Sequence, residues 1–301
     1  MMALRIAIAS FTSMLGGASN PHPSPELAGY WGDVASGTFL EVAPGRIRLF
    51  ELDRLTIRRA TYSADSVTIR RASGNERWSL MAVDGLLTVE ADWDTYTLRR
   101  LKNRPPQLEA KPLALPPPAP IRHEDRDMVL SELVEREERR ARSKNSDASL
   151  ASLLGHHQVD RANTEWLEGV VVEFGWIDSD RFGNDAARIA CRFVQRHSEL
   201  PLRLAAIPAM EPDAKRHRLE AHTFAACVDR TRYLLVEPQV YGTQCYDLLA
   251  DPIVICAIED REHVDARRAE IGLPPLSESM VELGTDRHGN LSRVIVEEDA
   301  P

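Results

Sequence analysis

The chain has 301 residues, 37 Lys and Arg against 46 Asp and Glu, and a formal charge of −9, a length that suits two domains of about 50 to 250 residues each. The acidic excess lies in residues 122–301, with 23 Lys/Arg against 34 Asp/Glu, which argues against nucleic acid as a partner because that would want a basic face. No run reaches the ~18 apolar residues of a membrane-spanning helix, and Cys191, Cys227, Cys245 and Cys256 lack C-x-x-C spacing, so neither a metal site nor a cofactor is expected.

In chain order, residues 1–20 come first. Arg5, the run Ile6-Ala7-Ile8-Ala9-Ser10-Phe11-Thr12-Ser13-Met14-Leu15, and then Gly16, Gly17, Ala18 and Ser19 have the charge, short apolar core and small-residue site of a secretory signal. The expectation is export to the periplasm or beyond with cleavage near Ala18; the alternative is a strand-forming or frayed terminus on a cytoplasmic protein.

Residues 27–102 alternate apolar and polar with a period of two, as in Thr38-Phe39-Leu40-Glu41-Val42, Arg46-Ile47-Arg48-Leu49-Phe50 and Leu86-Leu87-Thr88-Val89. Each such run predicts a strand with one buried face. Pro44-Gly45, Ser73-Gly74-Asn75 and Asp84-Gly85 supply tight turns, so six or seven strands form an antiparallel meander, as a small barrel or a curled sheet. Trp31, Trp78 and Trp93 either fill its core or line a ligand cavity. With Gly29-Tyr30-Trp31-Gly32 at one end and Tyr96-Thr97-Leu98-Arg99-Arg100-Leu101 at the other, this domain resembles the lipocalin-like β domains of bacterial exported proteins.

Seven prolines stand in residues 103–121, which predicts a stiff polyproline II linker. From Glu124 the period becomes helical: Val129, Leu130, Leu133 and Val134 make a stripe, and Glu132/Arg136, Glu135/Arg139 and Glu138/Arg142 are i,i+4 pairs on the solvated side. Further helices are expected from Asp160 as N-cap to Gly175, from Asn184 to His197, and from Asp213 to Tyr233. Residues 239–248 and 253–258 read as a β-hairpin, with Cys245 and Cys256 facing each other as a disulfide or as two buried thiols. Asp260 then caps a helix ended by Gly272-Leu273-Pro274-Pro275 as a Schellman motif. Residues 283–301 are expected to be loosely ordered. The fold class is therefore α+β: a β meander, a Pro-rich linker, and a mainly helical domain over 122–282 with a hairpin.

The helical part carries Asp160-x-x-Asn163-Thr164-x-x-Leu167, Gly175-Trp176, Gln195-x-His197, Asp229-Arg230, Gln239-x-Tyr241-Gly242-Thr243-Gln244 and Arg267-Arg268-x-x-x-Gly272-Leu273-Pro274-Pro275. In order and spacing, over roughly residues 125–280, these resemble a bacterial family of unknown function, the DUF6624 domain. Two positions depart from its pattern: Ile177 stands where the family has Pro after Gly-Trp, and Arg196-His197-Ser198-Glu199 stands where it has His-Ala-Asp after the Gln. The resemblance implies a domain and no reaction.

No glycine-rich phosphate loop, H-E-x-x-H or G-x-S-x-G occurs, and His156, His157, His217 and His222 lack ligand spacing. His197 ends an apolar stripe, as a core histidine or a base; Asp229 and Arg230 are the other candidate catalytic residues, and Gln195, Tyr241, Thr243 and Gln244 are candidate ligand-binding residues. Two functions follow: an exported binding or interaction module of the cell envelope with a protein or small-molecule partner, or an acid/base enzyme in which His197 is oriented by Asp229 or Glu199 and Arg230 holds an anion.

Overall fold

The computed structural model describes residues 20–51, 54–63, 66–71, 74–91, 95–143, 150–197, 199–245, 253–284 and 294–296; the signal-like segment, Trp93 and the side chain of His197 lie outside them. The chain divides into two compact units, Met1–Leu108 and Glu109–Pro301.

The first unit is a closed antiparallel barrel of eight strands in sequence order: β1 (Gly29–Asp33), β2 (Thr38–Ala43), β3 (Arg46–Glu51), β4 (Arg54–Tyr62), β5 (Ser66–Arg71), β6 (Gly74–Val83), β7 (Leu86–Glu90) and β8 (Thr95–Leu101). Closure removes the two edges that an open meander would expose. The strand missed in the sequence is β1, which pairs Trp31 with Leu40 on one side and with Arg100 on the other. Alternation sends Trp31, Leu40, Val42, Ile47, Leu49 and Val67 inward, all 5% exposed or less. One end is plugged: the Trp31 indole N–H donates to the Leu27 carbonyl at 2.9 Å, and Arg100 lies 4.9 Å over the Trp31 ring while donating to the Glu26 and Ala28 carbonyls.

The Pro-rich segment is docked rather than free. Pro106–Leu108 makes one 3-10 turn that lies against β2 and β3 with Leu108 fully buried. Farther on, the Leu113 N–H donates to the Pro201 carbonyl at 2.9 Å, and Leu113, Leu115 and Ile121 pack on the helical core. Exposed backbone between these anchors, at 109–112, is therefore where limited proteolysis should cut first, leaving two resistant fragments. Earlier cleavage inside either unit would contradict the division.

The second unit is built on α1 (His123–Ser143), α2 (Leu150–Phe174), α3 (Ser179–Phe182), α4 (Asn184–His197), α5 (Leu200–Lys215), α6 (Ala221–Leu234), α7 (Val264–Glu270) and α8 (Leu276–Gly284). The most amphipathic of them, α4, buries Ala186, Ala190, Phe193 and Val194 against α1, α2, α5 and α6. All three i,i+4 pairs expected on α1 form, at 2.6, 2.7 and 3.6 Å. Gly175 follows α2 and Gly272 follows α7 with positive φ, and the Leu273 N–H to Arg268 O and Gly272 N–H to Ala269 O bonds complete the Schellman ending.

Several boundaries differ from the sequence reading. Asp160 does not cap α2, which starts at Leu150; its carboxylate pairs with Arg140 of α1, a tertiary ion pair that no local pattern encodes. The expected helix over 213–233 is the last turn of α5, which carries Pro201, Pro208 and Pro212, and then α6; the two are separated where the chain turns at His217 with a φ of +56°. Asp213 ends up buried, accepting the Ser179 N–H at 2.8 Å and hydroxyl at 2.6 Å. Asp260 makes no capping bond; a 3-10 turn, Arg261–His263, precedes α7, and the Asp260 carboxylate meets His263 Nδ1 at 2.8 Å.

The turn of the expected hairpin lies outside the described residues, and residues 239–245 of its first run do not form a regular strand. β9 (Ile253–Ile255) pairs in parallel with β10 (Val294–Val296), inside the stretch expected to be loose, and Val296 is buried. Cys245 forms a single antiparallel bridge to Ile255, one residue away from the register that would set it opposite Cys256, and such a slip turns a side chain to the other face. No disulfide joins them.

Glu137 of α1 ties α1 to α4, accepting from Arg192 Nε at 3.0 Å and from Arg196 Nη1 at 2.6 Å. Burial works to raise its carboxyl, but Arg196 and Arg192 more than offset this and hold it below the ordinary value of 4.5. A depressed acid stabilises the fold above its unfolded pKa and loses that contribution as pH falls through the folded one. Glu137→Gln should therefore cost about 1 kcal/mol at neutral pH, and the gap in melting temperature between variant and native chain should close below pH 4.5. A gap that is constant with pH would exclude this role.

Candidate functional site

The six residues Gln239 to Gln244 form an irregular loop, and its shape is dictated by one carboxylate. Asp229, on α6, is fully buried. Its Oδ1 accepts the Val240 and Tyr241 N–H groups at 2.7 and 3.0 Å, and its Oδ2 accepts the Thr243 N–H and hydroxyl, both at 2.8 Å. Three amides of this short stretch are turned toward one anion and cannot also pair with a neighbouring strand, which is why alternation over 239–244 does not give a regular strand. Burial pushes the Asp229 carboxyl above its ordinary range, opposed by the hydrogen bonds from Tyr241, Thr243 and Val240.

Carbonyls of the same loop are held as well. Arg267 Nε donates to the Val240 carbonyl at 3.1 Å, Arg268 Nη1 to the Tyr241 carbonyl at 2.5 Å, and Gln244 Nε2 to the Thr243 carbonyl at 3.2 Å. Gln239 closes the ring: its Oε1 accepts the Gln244 N–H at 2.8 Å, while its Nε2 donates to the Gln244 and Cys256 carbonyls. Gly242 has a φ of +76°, and a Cβ there would stand 2.9 Å from Leu276 Cδ1 and 3.0 Å from Ile258 Cδ1, so the position requires both positive φ and a missing side chain. Tyr241 is core: its ring meets Phe224 edge-on with centroids 6.2 Å apart, and burial pushes its hydroxyl up to about 12.

Of the candidate residues, Asp229, Tyr241, Thr243 and Gln244 are thus brought together as a closed hydrogen-bonded lock. Arg230 is not part of it. Consecutive helical residues point about 100° apart, and Arg230 is exposed, stacked 5.2 Å from the Tyr233 ring. It faces a second polar group, at the corner between α4 and α5. There Arg203, 4% exposed, donates to the Gln195 carbonyl at 3.0 Å and approaches Cys227 Sγ at 3.8 Å. Burial lowers the Arg203 pKa, Cys227 works to raise it, and Arg230 lowers it further. Burial also pushes the Cys227 thiol up to about 11, far from a reactive thiolate. Glu168 on α2 is raised by burial and then by Glu199 and Glu165. His197 closes α4 at this corner.

The sequence reading missed Arg203, Arg267, Arg268 and Gln239 as members of these two groups. Arg267 and Arg268 stood in a quoted motif, and the signal available was two adjacent arginines before a helix stop; Arg203 had none. Among the described residues, no group of three His, Cys, Asp or Glu is placed to hold a metal ion, and no helix is long and apolar enough to cross a membrane.

Comparison with known families matches residues 133–291 to a model described as "Family of unknown function (DUF6624)". The chain belongs to the DUF6624 family. The match covers more than half of the chain and takes in the whole loop lock and the α4–α5 corner. No curated protein and no solved structure matches. Within this DUF6624 domain, then, the motifs Asp229-Arg230, Gln239 to Gln244 and Arg267-Arg268 are the parts of one packed lock, Arg230 excepted.

Proposed function

We propose that this DUF6624 protein is an exported two-domain binding protein of the cell envelope, in which the lock holds the helical domain rigid and the α4–α5 corner, with Gln195, Arg203, Arg230 and the end of α4 at His197, meets the partner. The observation that carries this reading is the state of Asp229. An ionised carboxylate offers about four acceptor positions, and the loop occupies them with three N–H groups and one hydroxyl. Asp229 therefore has nothing left with which to orient an imidazole, and of the two carboxylates named for that role only Glu199 remains. Export rests on the signal-like residues 5–19.

The test has two parts. Expressed with a C-terminal tag in a bacterial host, the chain should be recovered outside the cytoplasm with its mass reduced by cleavage near Ala18; an uncleaved cytoplasmic product would overturn export. Purified chain should not turn over ester, phosphoester, glycoside or peptide substrates above the level of His197→Ala. Turnover that this variant abolishes while its melting temperature is retained would overturn the binding reading in favour of catalysis.

A further inference from the structure

The barrel has two unlike ends. At one, residues 20–28, Trp31 and Arg100 form the plug. Toward the other the interior is hollow: a cavity of about 180 Å³ lies between β3, β4, β5 and β6. Its apolar part is made by Ile47, Leu49, Ile69 and the Trp78 side chain, and its remaining lining is Glu51, Thr56 and Arg58. These last three are only half-buried, unlike the apolar four, so the cavity meets solvent at the polar side.

That charged lining is unusual for a barrel interior and it is held in position. Alternation along β3 puts Glu51 on the same face as Ile47 and Leu49, and along β4 puts Thr56 and Arg58 on the same face as Ala60 and Tyr62. The Tyr96 hydroxyl of β8 reaches across the lumen to Glu51 Oε2 at 2.7 Å, and Arg58 Nη1 donates to the Ile57 carbonyl at 2.9 Å. Trp78 is set by its indole N–H, which donates to Glu76 Oε1 at 2.7 Å. A carboxylate, a hydroxyl and a guanidinium thus stand around one small space whose remaining walls are hydrocarbon and indole.

We propose that the barrel binds a small zwitterion with an apolar tail, the size of a branched-chain amino acid. The ammonium would meet Glu51, the carboxylate Arg58 and Thr56, and the tail the wall formed by Ile47, Leu49, Ile69 and Trp78. Size supports the class: an apolar cavity of about 150 Å³ holds benzene, so this one admits a tail of a few carbons with its head at the polar side. Opposite charges on one head group use both signs of the lining, whereas an amine alone would face Arg58 and an acid alone would face Glu51. The proposal concerns the barrel and stands whether or not the helical domain is a binding module.

Isothermal titration of the full chain with L-leucine, 3-methylbutylamine and 4-methylpentanoate tests it, since the three share one tail and differ only in charge. Leucine should bind, and each singly charged analogue should bind at least about tenfold more weakly. Glu51→Gln, which is nearly isosteric, should raise the leucine Kd about tenfold and bring it to that of 4-methylpentanoate. Should that variant not fold, the three-ligand comparison on the native chain decides alone. No heat and no rise in melting temperature with any of the three overturns the proposal, as does an analogue that binds as tightly as leucine.

Discussion

Replacing Asp229 by Ala should lower the unfolding free energy by about 3–5 kcal/mol, whereas Arg230→Ala, one residue on, should change it by no more than about 0.5 kcal/mol. The asymmetry follows from placement. Asp229 is fully buried and receives the amides of Val240, Tyr241 and Thr243, and removing it strands these donors, each at about 1–3 kcal/mol when buried without a partner. Partial relaxation of the loop toward water keeps the total below the sum. Asp229→Asn should recover little, because one carboxylate oxygen becomes an NH2 that faces N–H donors. Arg230 is exposed; it stacks on Tyr233, and its charge opposes that of Arg203. Urea midpoints at constant m-value measure both. Equal losses for the two variants, or a stable Asp229→Ala protein, would mean that the loop does not depend on this carboxylate.

Arg268→Ala should be of similar size, about 3–5 kcal/mol, and Arg268→Lys should restore less than half of it. The Arg268 side chain is 2% exposed and serves three elements: Nη1 reaches the Tyr241 carbonyl, Nε the Pro274 carbonyl at 2.7 Å, and Nη2 the Ser279 hydroxyl of α8. A lysine ammonium is one point with three rotating donors and cannot span those acceptors from one position. Burial lowers the Arg268 pKa while Asp265 and Asp229 raise it, so the acidic neighbours help keep the cation in place. Because Asp229 and Arg268 hold opposite polar edges of the same loop, their double variant should cost less than the sum of the singles. Full additivity would show two independent anchors and no shared lock.

What the sequence by itself determined is local. The period-two alternation of residues 27–101 sets the strands and their inward faces, because each side chain's face follows from its parity along the strand. The helical stripe of α4, the i,i+4 pairs of α1, and the Gly272-Leu273-Pro274-Pro275 ending of α7 are decided within one or two turns of chain. Barrel closure was decided elsewhere, by β1 finding β8 some seventy residues away. The same is true of Asp160, drawn from the capping role its residue type suggests into an ion pair with Arg140, and of α5, whose prolines a packed neighbourhood tolerates. The loop at 239–244 is the sharpest case. Its residues read as a strand, and only a buried carboxylate from another helix, with two arginines from a third, turned its amides and carbonyls away from strand pairing. Backbone polar groups must be satisfied wherever they are buried, and tertiary structure alone decides which partner satisfies them.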